Sequence, residues 1–483
     1  MELKNESLES SMQETSNNLV MDNKTLRGED ELCSDEEDLD YDEDKLYYDE
    51  DDDEFSLPPE MPEHLPSLIR LLVSRTPKIY QPTVAQAVFP SLAAHLYKVR
   101  FRYIDNIEHE ATLMNVLMAP TGSGKSCINA PINHIMADIR ERDKVNLQRE
   151  REWRTEMSTM GTHKYKPARP KNLVIQDIDP DMTMAAFAQR SVDAKGHFLY
   201  SMMNEIDQWD SIEGMGRAHQ NGLKFRIMCL AFDPDNSFGQ TRISPEAVSE
   251  HFQIRYNWNA CTTINKGREY FRKVVSDGPV SRINFCTIPM RPIGASMPKY
   301  GVYDEGFDEQ LRPYIQRLCK VRDQTVDCPE AIRLVKQLSE ECRDNSILSQ
   351  DRIYENFTFR ALVIAYLKAC VLYVANGCKW EEEMDEFIRW SLHYDLWCKI
   401  EFFWDLVKEQ QEDANRIGER GPKSLLQQLP DEFTWGQVEM ARIDKGMGIE
   451  GTREMIKTWM KRGYLRYDRV SVKTLFRKES FVR

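Results

Sequence analysis

The sequence predicts an α/β core, then an all-helical segment, then a small C-terminal module, and three observations carry that reading. Short apolar runs alternate with helix-compatible stretches from residue 111 to about 300, the pattern of strands and helices in layers. From 301 to 415 the apolar spacing becomes long and helical, as in LRPYIQRLCKVRDQ and DEFIRWSLHYDLWCKIEFFWDLVKEQ. From 422 to 483 the order is helix, short extended piece, helix, turn, helix, Gly463 and two strands, which is the order of a winged helix-turn-helix.

Residues 1–55 hold 22 acidic against 4 basic side chains, whereas the rest of the chain holds 60 basic against 57 acidic. The net charge of -15 therefore belongs to the tail and not to the body. Like charges at that density repel, and the segment lacks the apolar mass to offset chain entropy, so it is expected to be disordered. It reads as a solubilising tail or as a DNA mimic competing for the protein's own basic surface.

Residues 56–110 are punctuated by prolines around amphipathic stretches such as LPSLIRLLVSR, and are expected to form a helical lead-in. In the core, the candidate strands are LMNVLMA, KNLVIQD, GHFLYSMM, FRIMCLAF, FQIRYNWNACTT and SRINFCTIP. A very polar stretch between the first two, DIRERDKVNLQREREWRTEMSTMG and onward, is expected to be a helix extended outward and then a loop. In the helical segment, Trp390, Trp397, Phe403 and Trp404 are expected in the core.

No apolar run follows the first four residues, so no secretory signal is expected. The most apolar stretch, ALVIAYLKACVLYVANG, has Lys368 at its centre; a charge there is costly in lipid, and a buried helix is expected in preference to a membrane span. The 11 cysteines contain no CxxC pair. Many lie in apolar runs, so they are expected to be reduced thiols in a cytoplasmic protein, with neither a disulfide framework nor a zinc site.

One stretch carries sharper chemistry. APTGSGKS, residues 119–126, has P-loop spacing and stands between a strand-like run and a helix-like one. In that setting Gly122 and Gly124 let the backbone curl so that amides face phosphate oxygens, and the helix dipole adds to the field. Thr121, Gly122, Ser123, Gly124, Lys125, Ser126 and Cys127 are the predicted nucleotide-binding residues. Lys125 is expected to reach the β- and γ-phosphates and Ser126 to hold Mg²⁺.

Hydrolysis requires further groups, one for the Mg²⁺ shell and one to orient water. GHFLYSMMNEIDQWD supplies a strand with acids at its end. Glu205 is predicted to polarise the water and Asn204 to accept from the metal's shell; Asp207 is an alternative ligand, and the Glu205/Asp207 pair otherwise caps the next helix. Thr262, Thr263 or Asn265 is a candidate γ-phosphate contact. Arg282 precedes an apolar run, either as a finger on a neighbouring subunit's nucleotide or in a surface salt bridge.

With these residues in view, the chain resembles a family of P-loop ATPases carried by bacterial mobile elements and prophages, often encoded near primases and common in Bacteroidetes. The matching pieces lie between Leu57 and Ala414: the proline-rich lead-in, APTGSGKS, LVIQDIDPDMTMAAF, FLYSMMNEID and the SR of GPVSRINF. The resemblance implies a P-loop NTPase with a RecA-like or AAA-like core, ATP and Mg²⁺ as cofactors, and helicase-related work on DNA. A homo-oligomer is expected, with a primase or other replication protein as a partner. Where the family commonly has Asp before the glutamate, this chain has Asn204.

Residues 453–483 carry 10 basic and 3 acidic side chains, the footprint of phosphate contact. In TREMIKTWMKRGYL, Met455, Ile456 and Trp459 are expected inward, with Arg453, Lys457, Lys461 and Arg462 as the DNA-binding residues. Winged helices also bind proteins, and that reading stands beside DNA binding. Three functions follow: an ATP-driven DNA-handling motor, helicase-like and serving replication of a mobile element; an ATP-gated DNA-binding adaptor or loader with little or no hydrolysis; or a DNA-binding regulator with a vestigial loop.

Overall fold

The computed structural model describes residues 57–160, 167–213, 223–242, 248–276, 278–419, 425–426, 428–444, 448–468 and 475–478. The acidic tail and the bases Arg469, Lys473 and Arg483 lie outside them. The lead-in opens with helix Ser67–Val73, which buries Leu68, Ile69, Leu72 and Val73, a one-sided helical stripe. Helices Gln81–Ala87 and Phe89–Ala93 follow, each with proline in its first turn, where the missing N–H costs nothing.

The helical expectation for residues 56–110 does not extend to their end. Tyr97–Arg102 (β1) and Glu108–Glu110 (β2) form an antiparallel hairpin. In β1, Val99 and Phe101 are buried while Arg100 and Arg102 are not, the period-two alternation of a strand.

Met114–Met118 (β3) is buried at all five positions. The loop after it leads into a short 3₁₀ turn, Lys125–Ile128, and then helices Asn129–Ile135 and Ala137–Thr159. Helix Met184–Asp193 precedes Leu199–Met203 (β4). Further on, Ser237–Gly239 (β5) and His251–Gln253 (β6) pair as a small antiparallel ribbon. Tyr256–Thr262 (β7) and Asn284–Cys286 (β8) complete the central sheet.

That sheet runs β4-β7-β3-β8, and every pairing in it is parallel. An isolated parallel bridge, Asp177 to Tyr200, places KNLVIQD beside β4. All seven residues of β7 are buried, as a strand covered on both faces requires.

FRIMCLAF, expected as a strand, lies in helix Leu223–Phe232. An unbroken apolar run does not distinguish a buried strand from a buried helix. Its buried members, Phe225, Ile227, Met228, Ala231 and Phe232, fall at helical spacing, and a parallel β4-to-β7 connection needs a crossover.

The helical segment comprises Glu305–Lys320, Pro329–Ser349, Arg352–Ala375 and Glu383–Glu419. Its first two helices are joined through Arg322–Val326 (β9), which pairs in parallel with β1, so lead-in and helical segment share a three-stranded sheet, β2-β1-β9. Helix Arg352–Ala375 is long and apolar enough to cross a membrane, and 83% of its apolar window is buried inside the protein. Phe403 and Trp390 are buried, and Trp397 and Trp404 pack partly buried against the same core.

The C-terminal region has Glu432–Thr434 (β10), helices Trp435–Asp444 and Thr452–Lys461, Leu465–Asp468 (β11) and Leu475–Lys478 (β12). Its strands form an antiparallel sheet in the order β10-β12-β11. Leu426, Phe433, Val438, Ile456, Trp459 and Phe476 belong to a core cluster of its own.

Candidate nucleotide site and basic helix

The register of the central sheet brings the predicted residues to one edge. Met118, the last residue of β3, pairs with Thr262, the last of β7, and Met203, the last of β4, pairs with Ala260. The loop after β3 and the acids after β4 therefore leave the sheet on the same side, two strand spacings or about 10 Å apart. β3 has β7 on one side and β8 on the other, while the chain goes first from β3 to the more distant β4. It is a point where connections diverge, and ligands of open α/β sheets bind outside the carboxyl ends of strands at such points.

The loop has the conformation that its glycines allow. Gly122 and Gly124 have φ of 77° and 90°, a region L side chains rarely adopt. A Cβ on Gly124 would lie 2.5 Å from the Tyr80 hydroxyl, whereas one on Gly122 would meet open space. Tyr80 stacks on Tyr300 with ring centroids 5.9 Å apart and planes 16° from parallel, so an aromatic pair closes one side of the loop.

Thr121 and Ser126 are exposed. Among the described residues the Ser123 hydroxyl is buried without a partner, as is that of Thr262 across the sheet edge. Lys125 Nζ donates to the carbonyls of Pro120 at 3.0 Å and Ala119 at 3.4 Å, curling back over its own loop. Cys127 faces the core, its amide donating to Gly124 O. Burial pushes its thiol up to about 12.

Cys261, in β7, lies under the loop, its thiol 4.0 Å from the Lys125 carbonyl. Burial is the main cause raising that thiol to about 12, with Lys125 pulling down and Glu205 pushing up.

Asn204 is exposed and Glu205 half-buried just beyond β4. Glu205 is paired with Lys266 Nζ at 3.1 Å, and the same ammonium meets Asp207 at 3.0 Å. The two carboxylates hold Lys266 above the ordinary lysine range, Asp207 contributing most. Thr263 caps helix Ile264–Phe271 by accepting from the Lys266 amide, which sets the lysine in the first turn beside the acids. Asn265 is exposed.

Arg282 stands apart from this edge cluster. Its guanidinium pairs with Asp233 at 3.0 and 3.3 Å and donates to Gly278 O, within its own chain.

No protein-family model matches this chain, and no curated protein matches its sequence.

Helix Thr452–Lys461 presents Arg453, Lys457 and Lys461 to solvent, with Arg462 exposed just after it. Ile456 and Trp459 are buried beneath, and Met455 packs partly buried. Lys457 is paired with Glu454 at 3.0 Å. Lys478, counted in the basic segment, is buried with Nζ donating to the Leu429 carbonyl. Arg477 is paired with Glu432.

Lys266, Tyr80 and Tyr300 are the residues that sequence reasoning missed. Lys266 follows Asn265 in TTINKG, directly beside the candidate γ-phosphate contacts. Tyr80 and Tyr300 are 220 positions apart in the sequence, and nothing local pairs them.

Proposed function

We propose that the chain is a P-loop ATPase with a RecA-like or AAA-like core that works on DNA through a C-terminal winged helix. The observation that carries this reading is the placement of the glycine loop and Glu205 at the carboxyl edge of one parallel sheet, with β7 inserted between their strands. The unpartnered hydroxyls of Ser123 and Thr262 and the left-handed glycines fit a loop that receives phosphate oxygens. ATP and Mg²⁺ are the cofactors: residues 121–126 would hold the phosphates, with Ser126 and Asn204 toward the metal. The bound metal would neutralise charge on the phosphates.

In this proposal Lys125 leaves its own carbonyls for the phosphate chain, and Glu205 orients the attacking water. Arg282, released from Asp233, acts across a subunit boundary in a homo-oligomer. Arg453, Lys457, Lys461 and Arg462 supply the phosphate-contacting face. A helicase-like motor in mobile-element replication, with a primase or other replication protein beside it, rests on the family resemblance alone.

A second reading, an ATP-gated adaptor or loader with little hydrolysis, has a specific observation in its favour. Glu205 and Asp207 share one lysine, and Asn204 brings no charge. The test is ATP binding and turnover, with and without DNA, in the wild type, Lys125→Ala and Glu205→Gln. A motor shows DNA-stimulated turnover, lost in both variants, with binding lost only in Lys125→Ala. Lys125-dependent binding without turnover selects the adaptor; binding unchanged in Lys125→Ala overturns the nucleotide site.

A further inference from the structure

Away from the nucleotide edge, three side chains from distant parts of the sequence converge. His95 follows helix Phe89–Ala93, Asp138 stands in the first turn of helix Ala137–Thr159, and Cys319 in the last turn of Glu305–Lys320. Their nearest ligand atoms all lie within 4.8 Å of one another. His95 Nδ1 is 3.4 Å from Asp138 Oδ1 and 3.7 Å from Cys319 Sγ.

The hydrogen bonds around the ring decide what this cluster faces. His95 Nε2 is 3.0 Å from the Ile135 carbonyl, which only accepts, so Nε2 carries a proton. Nδ1 then points at Asp138 Oδ1, a buried oxygen with no hydrogen-bond donor among the described residues, while the other oxygen of Asp138 takes Arg142 at 3.2 Å. Without an ion, the Cys319 thiol donates to the Nδ1 lone pair at 3.7 Å, and Asp138 Oδ1, 3.4 Å from the same nitrogen, is left unfilled. A cation held by the ring nitrogen, the carboxylate and the thiolate fills that oxygen as well.

We propose that His95 Nδ1, Asp138 Oδ1 and Cys319 Sγ bind a divalent zinc-type cation. Tetrahedral zinc with ordinary bond lengths has edges of about 3.3 Å between N and O and about 3.6 Å between N and S; the two separations from His95 Nδ1, 3.4 and 3.7 Å, are close to these, and the oxygen and sulfur lie within 4.8 Å of each other. A nitrogen, an oxygen and a sulfur suit zinc and not Mg²⁺ or Ca²⁺, which take oxygen alone. Thiolate and carboxylate together neutralise the ion's charge. The ring's other nitrogen donates to a backbone carbonyl, the outer-shell arrangement that orients a metal-bound histidine.

Asp138 and Cys319 also line a cavity of about 620 Å³ whose walls include Arg142 and Arg312. The fourth ligand comes from that side: water, or a small anion favoured by the two arginines. The absence of CxxC pairs excludes a thiolate-rich cluster, not a mixed site assembled by tertiary folding. The ion would fasten the lead-in and the helical segment to the helices that follow the glycine loop, independently of whether the loop binds ATP.

The test is titration of chelator-stripped full-length protein with Co²⁺, followed by Zn²⁺ competition. The expected result is one Co²⁺ per chain with a thiolate-to-cobalt charge-transfer band, displaced by Zn²⁺ and absent in Cys319→Ser. Asp138→Asn, at a side chain 42% exposed, is expected to weaken Zn²⁺ binding by more than the roughly 10–100-fold that loss of an outer-shell partner costs, with the unfolding midpoint of the metal-free protein unchanged. No stoichiometric binding, a spectrum without the thiolate band, or one unchanged in Cys319→Ser overturns the proposal.

Discussion

Replacing Lys368 by methionine should change how the stability of this protein depends on pH. Lys368 is 2% exposed, and its Nζ donates to Gln86 Oε1, to Asn284 Oδ1 at 2.7 Å and to Ser391 Oγ at 2.8 Å. Asn284 in turn donates to Asn115 Oδ1 at 2.7 Å, so the lysine ties the helical segment through β8 to β3, the strand that delivers the glycine loop. Burial pulls its ammonium down to about 7, against the opposing pull of Asp395.

Below that value lysine is protonated in both folded and unfolded chains, and its contribution to stability is flat. Between about 7 and the unfolded value of about 10.4 only the unfolded chain holds the proton, so stability rises with pH by about 1.4 kcal/mol per unit. From pH 7 to 9.5 that amounts to about 3 kcal/mol. Lys368→Met has no such proton but leaves the Asn284 acceptor unfilled, at about 1–3 kcal/mol, while Gln86 Oε1 keeps the Ser391 hydroxyl at 3.0 Å. Urea unfolding of both proteins between pH 6 and 9.5 should give a stability difference that is constant below pH 7 and then grows in favour of the wild type. A difference that stays level across the whole range would refute the reasoning.

Three further outcomes follow from the site. Lys266→Met frees Glu205 and Asp207; since exposed ion pairs contribute about 1 kcal/mol at most, the unfolding midpoint should hardly move while ATP turnover rises about two- to fivefold, as steady-state kinetics would show. Arg282→Ala and Lys125→Ala chains, each inactive alone, should regain turnover on mixing if the arginine serves a neighbour; no recovery assigns it to its pair with Asp233. Substituting Arg453, Lys457 and Lys461 by alanine should weaken duplex binding and flatten the logarithmic salt dependence by about 2.7 in slope, with stability changed by less than about 0.5 kcal/mol; fluorescence anisotropy across a salt series reads both.

By itself the sequence determined what depends on neighbours along the chain. The glycine spacing of APTGSGKS reads directly as left-handed turns, and Gly122 and Gly124 adopt them. The 3.6-residue period of Thr452–Lys461 separates Ile456 and Trp459 from Arg453, Lys457 and Lys461 without reference to any other element. Tertiary partners decide two other segments: the continuous apolar run of FRIMCLAF is a helix because a parallel crossover demands one, and the alternating YKVRFR is a strand through pairing with β2 and β9.

Only the tertiary structure decided which groups meet. Register within the parallel sheet set Glu205 on the same edge as Lys125, and the cap at Thr263 turned Lys266 onto Glu205 and Asp207. Folding also joined Tyr80 to Tyr300 and gathered His95, Asp138 and Cys319. The physical reason is that side-chain chemistry acts over a few ångströms, whereas these partners are separated by 43 to 224 positions that local propensity does not span.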